Sequence, residues 1–266
     1  MCSPVPCGSG DRGEMADRLF TKPALAALYD RWAPAPQRGD FGFYLPLVMS
    51  AGSVLDVGCG TGELLRLARQ AGHTGRLCGL DPAPAMLALA RQRPDIEWVL
   101  ADAASAVWRQ EFDLVVMTGH AFQVLVSDDE IRGALAAVRA ALAPAGRFAF
   151  ETRNPAARAW QDWTPGNAVR VTGPTGAVVT MAHQVVAPFD GATVTFTSTY
   201  TSPDWAGPEI SRSTLRFLSV PELASFLAAV GLAIQEQFGD WSRQPLTATS
   251  PEIITIAGLA GQPVSS

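Results

Sequence analysis

Val54-Leu55-Asp56-Val57-Gly58-Cys59-Gly60-Thr61-Gly62 runs directly into Glu63-Leu64-Leu65-Arg66-Leu67-Ala68, and this stretch decides the fold. A short apolar run that stops at a glycine-rich turn predicts a buried parallel strand. Beyond the turn, Leu64, Leu67, Ala68 and Ala71 recur on one helical face, so a helix follows. Glycine adopts positive φ without steric cost and lets the backbone approach a bound group. The first turn of the helix adds N–H donors that have no partner within the helix. Such a strand, turn and helix hold a ligand, and the glycine spacing says which kind.

A dinucleotide fingerprint, G-x-G-x-x-G, would put its third glycine at position 63, where this chain has Glu63. The third glycine is Gly62 instead, and Asp56 stands two residues before Gly58. The set Asp56, Gly58, Gly60 and Gly62 resembles motif I of the class I S-adenosylmethionine-dependent methyltransferases, D/E-x-G-x-G-x-G. The resemblance implies that the turn passes the amino-acid end of S-adenosyl-L-methionine. A buried aspartate is costly without a partner, and the methionyl ammonium supplies one directly or through water. The alternative for Asp56 is a turn carboxylate that caps backbone N–H groups.

Two further acids stand where the same ligand needs them. Arg76 to Asp81 reads as a second strand, and Asp81 lies nineteen residues beyond Gly62, the reach of a carboxylate that accepts ribose hydroxyls across a β-α-β unit. Pro82-Ala83-Pro84-Ala85-Met86-Leu87 resembles the family's D-x-S-x-x-M-L segment with Ala or Pro in the polar place. That resemblance implies cofactor contacts at Pro82 and Met86, the methionine packing on adenine, with ordinary core as the alternative for Met86. A third strand, Ile96 to Leu100, leads into Ala101-Asp102-Ala103. Here the resemblance gives Asp102 the adenine amino group and Ala103 a ring nitrogen, against a loop-capping Asp102. Acids at three successive strand ends place the cofactor along the carboxyl edge of the sheet.

The fourth strand, Phe112 to Met117, ends in Thr118-Gly119-His120, where the family lines its methyl-transfer site. Thr118 is expected beside the cofactor. His120 either takes a proton from an oxygen or nitrogen nucleophile, its ordinary pKa being near neutrality, or hydrogen-bonds the loop without titrating. Ser127 to Glu130 is a capping box opening a helix that ends at Leu142-Ala143-Pro144-Ala145-Gly146, similar to the family's L-x-P-G-G turn. Strand five, Arg147 to Thr152, then exits through Glu151, Arg153 and Asn154. Glu151 is a second candidate base; Glu151 and Arg153 either face the substrate or pair with each other as a hinge.

Outward from this centre, Lys22 to Trp32 predicts a short helix and Phe41 to Ser50 an amphipathic one. Tyr29 and Tyr44 are lid candidates by resemblance and core aromatics otherwise. From Ala168 onward the pattern changes. Ala177 to Ala187 and Ala192 to Thr201 flank the hairpin signal Phe189-Asp190-Gly191, and Glu209 to Leu218 adds a strand. Ser219 to Glu222 caps another helix, stopped by Gly231, before a closing pair at Leu232 to Trp241 and Glu252 to Gly258. The expected architecture is α/β: a Rossmann-like three-layer sandwich on a seven-stranded, mostly parallel sheet with an antiparallel closing strand, plus a small antiparallel β insertion after strand five. Its expected parts are a disordered tail (1–18), N-terminal helices and cofactor core (19–155), an acceptor-covering insertion (156–218), core completion (219–260) and a tail (261–266). Loop residues Trp163 and Trp205 suit a mostly apolar acceptor pocket. Arg212 and Arg216 share a strand face, either as an anion site or as a solvated surface.

Composition narrows the partners. The 266 residues carry a formal charge of -5, with Lys22 the only lysine, so the electrostatic footprint of a nucleic-acid binder is missing. No apolar run is long enough to span a bilayer, and a cytoplasmic protein without membrane or nucleic-acid partners is expected. Cys2, Cys7, Cys59 and Cys78 lack metal-ligand spacing, so no metal is expected; Met15 is an alternative translation start. The function expected is methyl transfer to an oxygen or nitrogen of a small-molecule acceptor by in-line displacement, with a base needed only if the acceptor arrives protonated. Two alternatives are a non-catalytic module that binds the cofactor and a protein partner, and a nicotinamide oxidoreductase, which the shifted third glycine and Asp56 oppose.

Overall fold

The computed structural model describes residues 17–105 and 107–261. The chain enters through three one-turn helices, α1 (Arg18–Thr21), α2 (Pro23–Ala26) and α3 (Tyr29–Trp32), followed by α4 (Gly39–Ser50). A single helix was expected over Lys22 to Trp32, which the structure divides into α2 and α3. Pro23 separates α2 from α1: it disfavours helical backbone at the preceding residue, and Lys22 is extended at ψ 120°. Asp17 caps α1 by accepting the Leu19 amide at 2.9 Å. Cys2, Cys7, Met15 and residues 262–266 lie outside the described residues.

Strand and helix then alternate: β1 (Ser53–Val57), α5 (Glu63–Gln70), β2 (Arg76–Asp81), α6 (Pro84–Ala90), β3 (Glu97–Leu100), β4 (Phe112–Met117), α7 (Asp128–Ala141) and β5 (Leu142–Arg153). An insertion of β6 (Val169–Thr172), β7 (Val178–Ala187), β8 (Thr193–Thr201) and β9 (Glu209–Arg216) precedes α8 (Val220–Ala229), β10 (Leu232–Phe238) and β11 (Glu252–Leu259). The main sheet runs β10-β11-β5-β4-β1-β2-β3, and β11 is antiparallel to both neighbours. β6 to β9 form a separate antiparallel sheet. Both match the expected fold.

Each face of the main sheet is covered, which is why β1 and β4 read as apolar runs. One face packs Phe112, Phe148 and Phe150 against Leu135 of α7 and Leu223 of α8. The other packs Val54 and Val116 against Tyr44 and Val48 of α4 and Leu64 of α5. Strand five starts earlier than expected: Leu142 pairs with Phe112, and the register jumps before Leu114 meets Arg147. Gly146 sits at that bulge, where a Cβ would approach the Phe112 carbonyl oxygen to 2.7 Å. In the insertion, Asp190 accepts the Ala192 and Thr193 amides at 2.9 and 2.7 Å and turns the expected hairpin. Its edge strand β6 has no counterpart in the sequence reading. Among the described residues, no helix is long and apolar enough to cross a membrane.

Candidate active site

The glycine turn is fastened to the end of β2. Gly58 and Cys59 donate their amides to the Leu80 carbonyl at 2.7 and 3.0 Å. Asp81 accepts the Gly60 amide at one oxygen and the Ala83 amide at the other, both at 2.8 Å. Gly58, Gly60 and Gly62 all have positive φ, at 74°, 56° and 76°. Gly62 is doubly constrained, because a Cβ there would lie 2.2 Å from the ring of Trp98. Gly60 instead faces open space, with nothing within 4 Å of the corresponding position.

At the floor of this turn Asp56 is 1% exposed, and its Oδ1 has no hydrogen-bond partner. Burial, with the nearby Asp81 charge, pushes its carboxyl pKa up to about 7. Above it opens a cleft walled on one side by Gly58 to Thr61, Thr118 and Gly119, and on the other by Tyr29, Asp30, Arg38 and Phe41. The N-terminal segment therefore covers the turn, and the Thr61 hydroxyl donates to Asp30 at 2.8 Å. Arg38 is held there by Asp40, Nε to Oδ1 at 2.8 Å, and by the ring of Phe41 at 4.2 Å.

Beside the cleft lies a buried acid–base cluster. Glu151 is fully buried; the Tyr44 hydroxyl donates to its Oε2 and the His120 amide to its Oε1 at 2.7 Å. Burial raises the Glu151 pKa, with the His120 charge and these hydrogen bonds opposing. His120 has φ 63°, a strained setting that its amide bond to Glu151 supports. Its Nε2 is 2.9 Å from Glu252 Oε2 on β11, and its Nδ1 makes no hydrogen bond to a described residue.

The expected residues thus fall into three groups. Asp56, Gly58, Gly60 and Thr118 line the cleft, while Gly62 and Asp81 brace the turn. Met86 is 1% exposed and lies under Ala26, Phe20 and Tyr29 of the N-terminal helices. Pro82 and Asp102 are exposed, and Asp102 Oδ1 caps the 3-10 turn Ala103–Ser105 through the Ser105 amide at 2.8 Å. Tyr29 is in the cleft wall, but Tyr44 is core, engaged with Glu151. Trp205 packs with Leu25 and Leu28 instead of at the sheet edge.

At three places the structure separates alternatives that the sequence leaves open, and the exposed Arg212 fits a solvated face. Glu151 and Arg153 do not pair: Arg153 points to Gln123 and Trp163. Arg212 is exposed on the strand next to buried Ser211, on the opposite face. Arg216 donates to the Val126 carbonyl at 3.2 Å and to Asp128 at 3.3 Å, so it is not free for an anion. Arg38, Asp30, Gln123 and Glu252 escaped the sequence reading. Glu252 opens a late strand and reaches His120 only through sheet pairing, so no local pattern marks it.

With this geometry in hand, residues 54–146 match the family model described as a methyltransferase domain. That match spans the glycine turn and the strands and helices from β1 to α7. The chain is 40% identical over 103 residues to a 2-phytyl-1,4-naphtoquinone methyltransferase of Thermosynechococcus vestitus, covering 37% of this chain and 44% of that protein. The chain thus spans less than half the length of that curated relative. The CcbJ methyltransferase of Streptomyces caelestis superposes with a TM-score of 0.73 at 22% identity, covering 91% and 99% of the two chains. SAM-bound CalS10, an amino pentose methyltransferase of Micromonospora echinaspora, gives 0.63 at 24% identity, covering 87% and 94%. The structural likeness therefore runs through the inserted strands as well as the methyltransferase domain.

Proposed function

We propose that the chain transfers the methyl group of S-adenosyl-L-methionine to an oxygen or nitrogen nucleophile of a small molecule by in-line displacement. One observation carries the reading: the buried, unpartnered Oδ1 of Asp56 beneath the open face of Gly60, an acceptor waiting for a cation. The residues fit the cofactor. Asp56 takes the methionyl ammonium, and Gly58 and Gly60 let the backbone approach. Gly62 sets the start of α5. Asp81 keeps lone pairs for ribose hydroxyls beyond its two amide bonds. Pro82, Met86, Asp102 and Ala103 serve the adenine side, and Thr118 the reacting end.

When bound, the cofactor supplies a methyl group already activated for displacement. The chain's share is positioning, exclusion of water and removal of a proton. The N-terminal segment excludes water by lying over the turn. Glu252 holds His120 Nε2–H, which leaves Nδ1 as the acceptor of the nucleophile's proton. Both Glu151 oxygens are engaged, so Glu151 acts as a positioning residue that fixes the His120 backbone.

In this reading 19–155 and 219–260 form the cofactor core and 156–218 covers the acceptor. The named activities of the relatives, on a naphthoquinone and an amino pentose, support a small-molecule acceptor. A formal charge of -5 supports an enzyme without a nucleic-acid partner, and a cytoplasmic location without membrane partners belongs to the same proposal. The test is calorimetric titration with S-adenosylmethionine and S-adenosylhomocysteine. Wild type is expected to bind both, and Asp56→Asn and Asp81→Ala at least about tenfold more weakly. Failure of wild type to bind either, with NADH bound instead, overturns the reading.

A further inference from the structure

Arg153 is the last residue of β5, and its backbone pairs with Glu252, the carboxylate that holds His120. It therefore ends at the sheet edge where the proposed proton acceptor stands. Its guanidinium donates through Nη1 to the neutral Gln123 Oε1 at 3.0 Å and makes no ion pair with a described residue. Gln123 itself lies on the 3-10 turn that His120 opens. The two nearest acids are committed elsewhere, Glu252 to His120 and Glu151 to Tyr44 and the His120 amide. Four of the five guanidinium N–H donors remain for another partner.

The surroundings explain why that partner matters. Arg153 stands 5.5 Å over the ring of Trp163, and Trp163 meets Phe196 of the insertion at 4.6 Å. His183 sets its edge on Phe196 at 5.4 Å, with Nδ1 2.9 Å from the Ser198 hydroxyl. Burial lowers the pKa of both Arg153 and His183, with the Glu252 and Glu151 charges opposing at Arg153. A guanidinium over the Trp163 face, partly withdrawn from water and without an ion pair to a described residue, leaves a desolvation cost that an arriving anion offsets. The carbon wall beside it suits a flat apolar group.

Resting on the methyltransferase reading, we infer that Arg153 receives an anionic group of the methyl acceptor, with the flat part of that acceptor against Trp163 and Phe196. The acceptor is a small carboxylate or phosphate, anchored at Arg153 so that its nucleophile comes to His120 Nδ1. Guanidinium geometry suits both anions, since each offers two oxygens to a planar fork.

The experiment uses the full chain saturated with S-adenosylhomocysteine and titrated calorimetrically with matched probes. The carboxylate arm compares 4-hydroxybenzoate with 4-hydroxybenzamide; the phosphate arm compares phenyl phosphate with phenol. At least one anion is expected to bind about tenfold or more tightly than its neutral partner. Arg153→Gln erases that difference with S-adenosylhomocysteine affinity unchanged, and Arg153→Lys keeps part of it. Should Arg153→Gln not fold, Trp163→Leu replaces it, with anion affinity expected to fall while cofactor affinity stays. Equal binding of anion and neutral partner, a preference that survives loss of the guanidinium, or no probe binding to the loaded chain overturns the inference. Failure to bind S-adenosylhomocysteine at all is a different result, and it overturns the methyltransferase reading itself.

Discussion

Asp56 links burial to pH. Its folded pKa of about 7 lies above the ordinary 3.8. Stability from this group is therefore fully present below pH 4 and is lost as the pH rises to 7, on the order of 4 kcal/mol at most. Melting of the free chain is expected to fall from pH 4 to 8, and Asp56→Asn to flatten that fall. Cofactor affinity has the opposite sign, because an ammonium pairs with the ionised carboxylate. Calorimetry should show S-adenosylhomocysteine binding strengthening by about tenfold per unit up to pH 7 and levelling off above it, and Asp56→Asn should bind weakly without that slope. A wild-type affinity independent of pH between 5 and 7 would rule out Asp56 as the ammonium's partner.

At the scale of elements, the turn after β1 is shaped by Trp98 as much as by its glycines. The indole lies against both Gly62 and Gly79, where added Cβ atoms would come to 2.2 and 2.5 Å. Gly62→Ala adds this clash to a φ of 76°, and urea unfolding is expected to show a loss of about 3 kcal/mol. The strand–turn–helix units of the main sheet were legible because buried parallel strands are apolar runs that stop at turns. β6 was not, since its four residues are mostly exposed and gain their place only by pairing with β7. The N-terminal helix was overread because local propensity says nothing of the break between Ala26 and Tyr29, where Leu28 and Tyr29 dock into two different clusters. Within the site, Asp56 and Asp81 stood out as acids ending apolar strands. Arg153 stood out too, at the exit of strand five, but with its partner left open; Glu252 and Gln123 did not, because their roles exist only after distant strands pair.

Across the whole molecule, the N-terminal segment ties the two sheets together. Asp17 is bound by Ser211 and Ser213 of β9, Lys22 and Arg18 pair with Glu209, and Asp30 reaches Thr61 at the cofactor turn. The cleft it covers is walled by Tyr29 and Asp30 on its side and by Gly58 to Thr61 on the other. The segment's own apolar contacts lie in two small clusters outside the main core. Deleting residues 1–34 is therefore expected to leave the helix–sheet circular dichroism near that of wild type and to weaken S-adenosylhomocysteine binding by about tenfold or more. Unchanged affinity in the truncated chain would show that the segment is no cover. The pairing of His120 with Glu252 spans 132 positions and exists only once β11 lies beside β5. During synthesis the glycine turn can form early, but a chain still on the ribosome has no oriented imidazole until β11 has emerged and paired with β5.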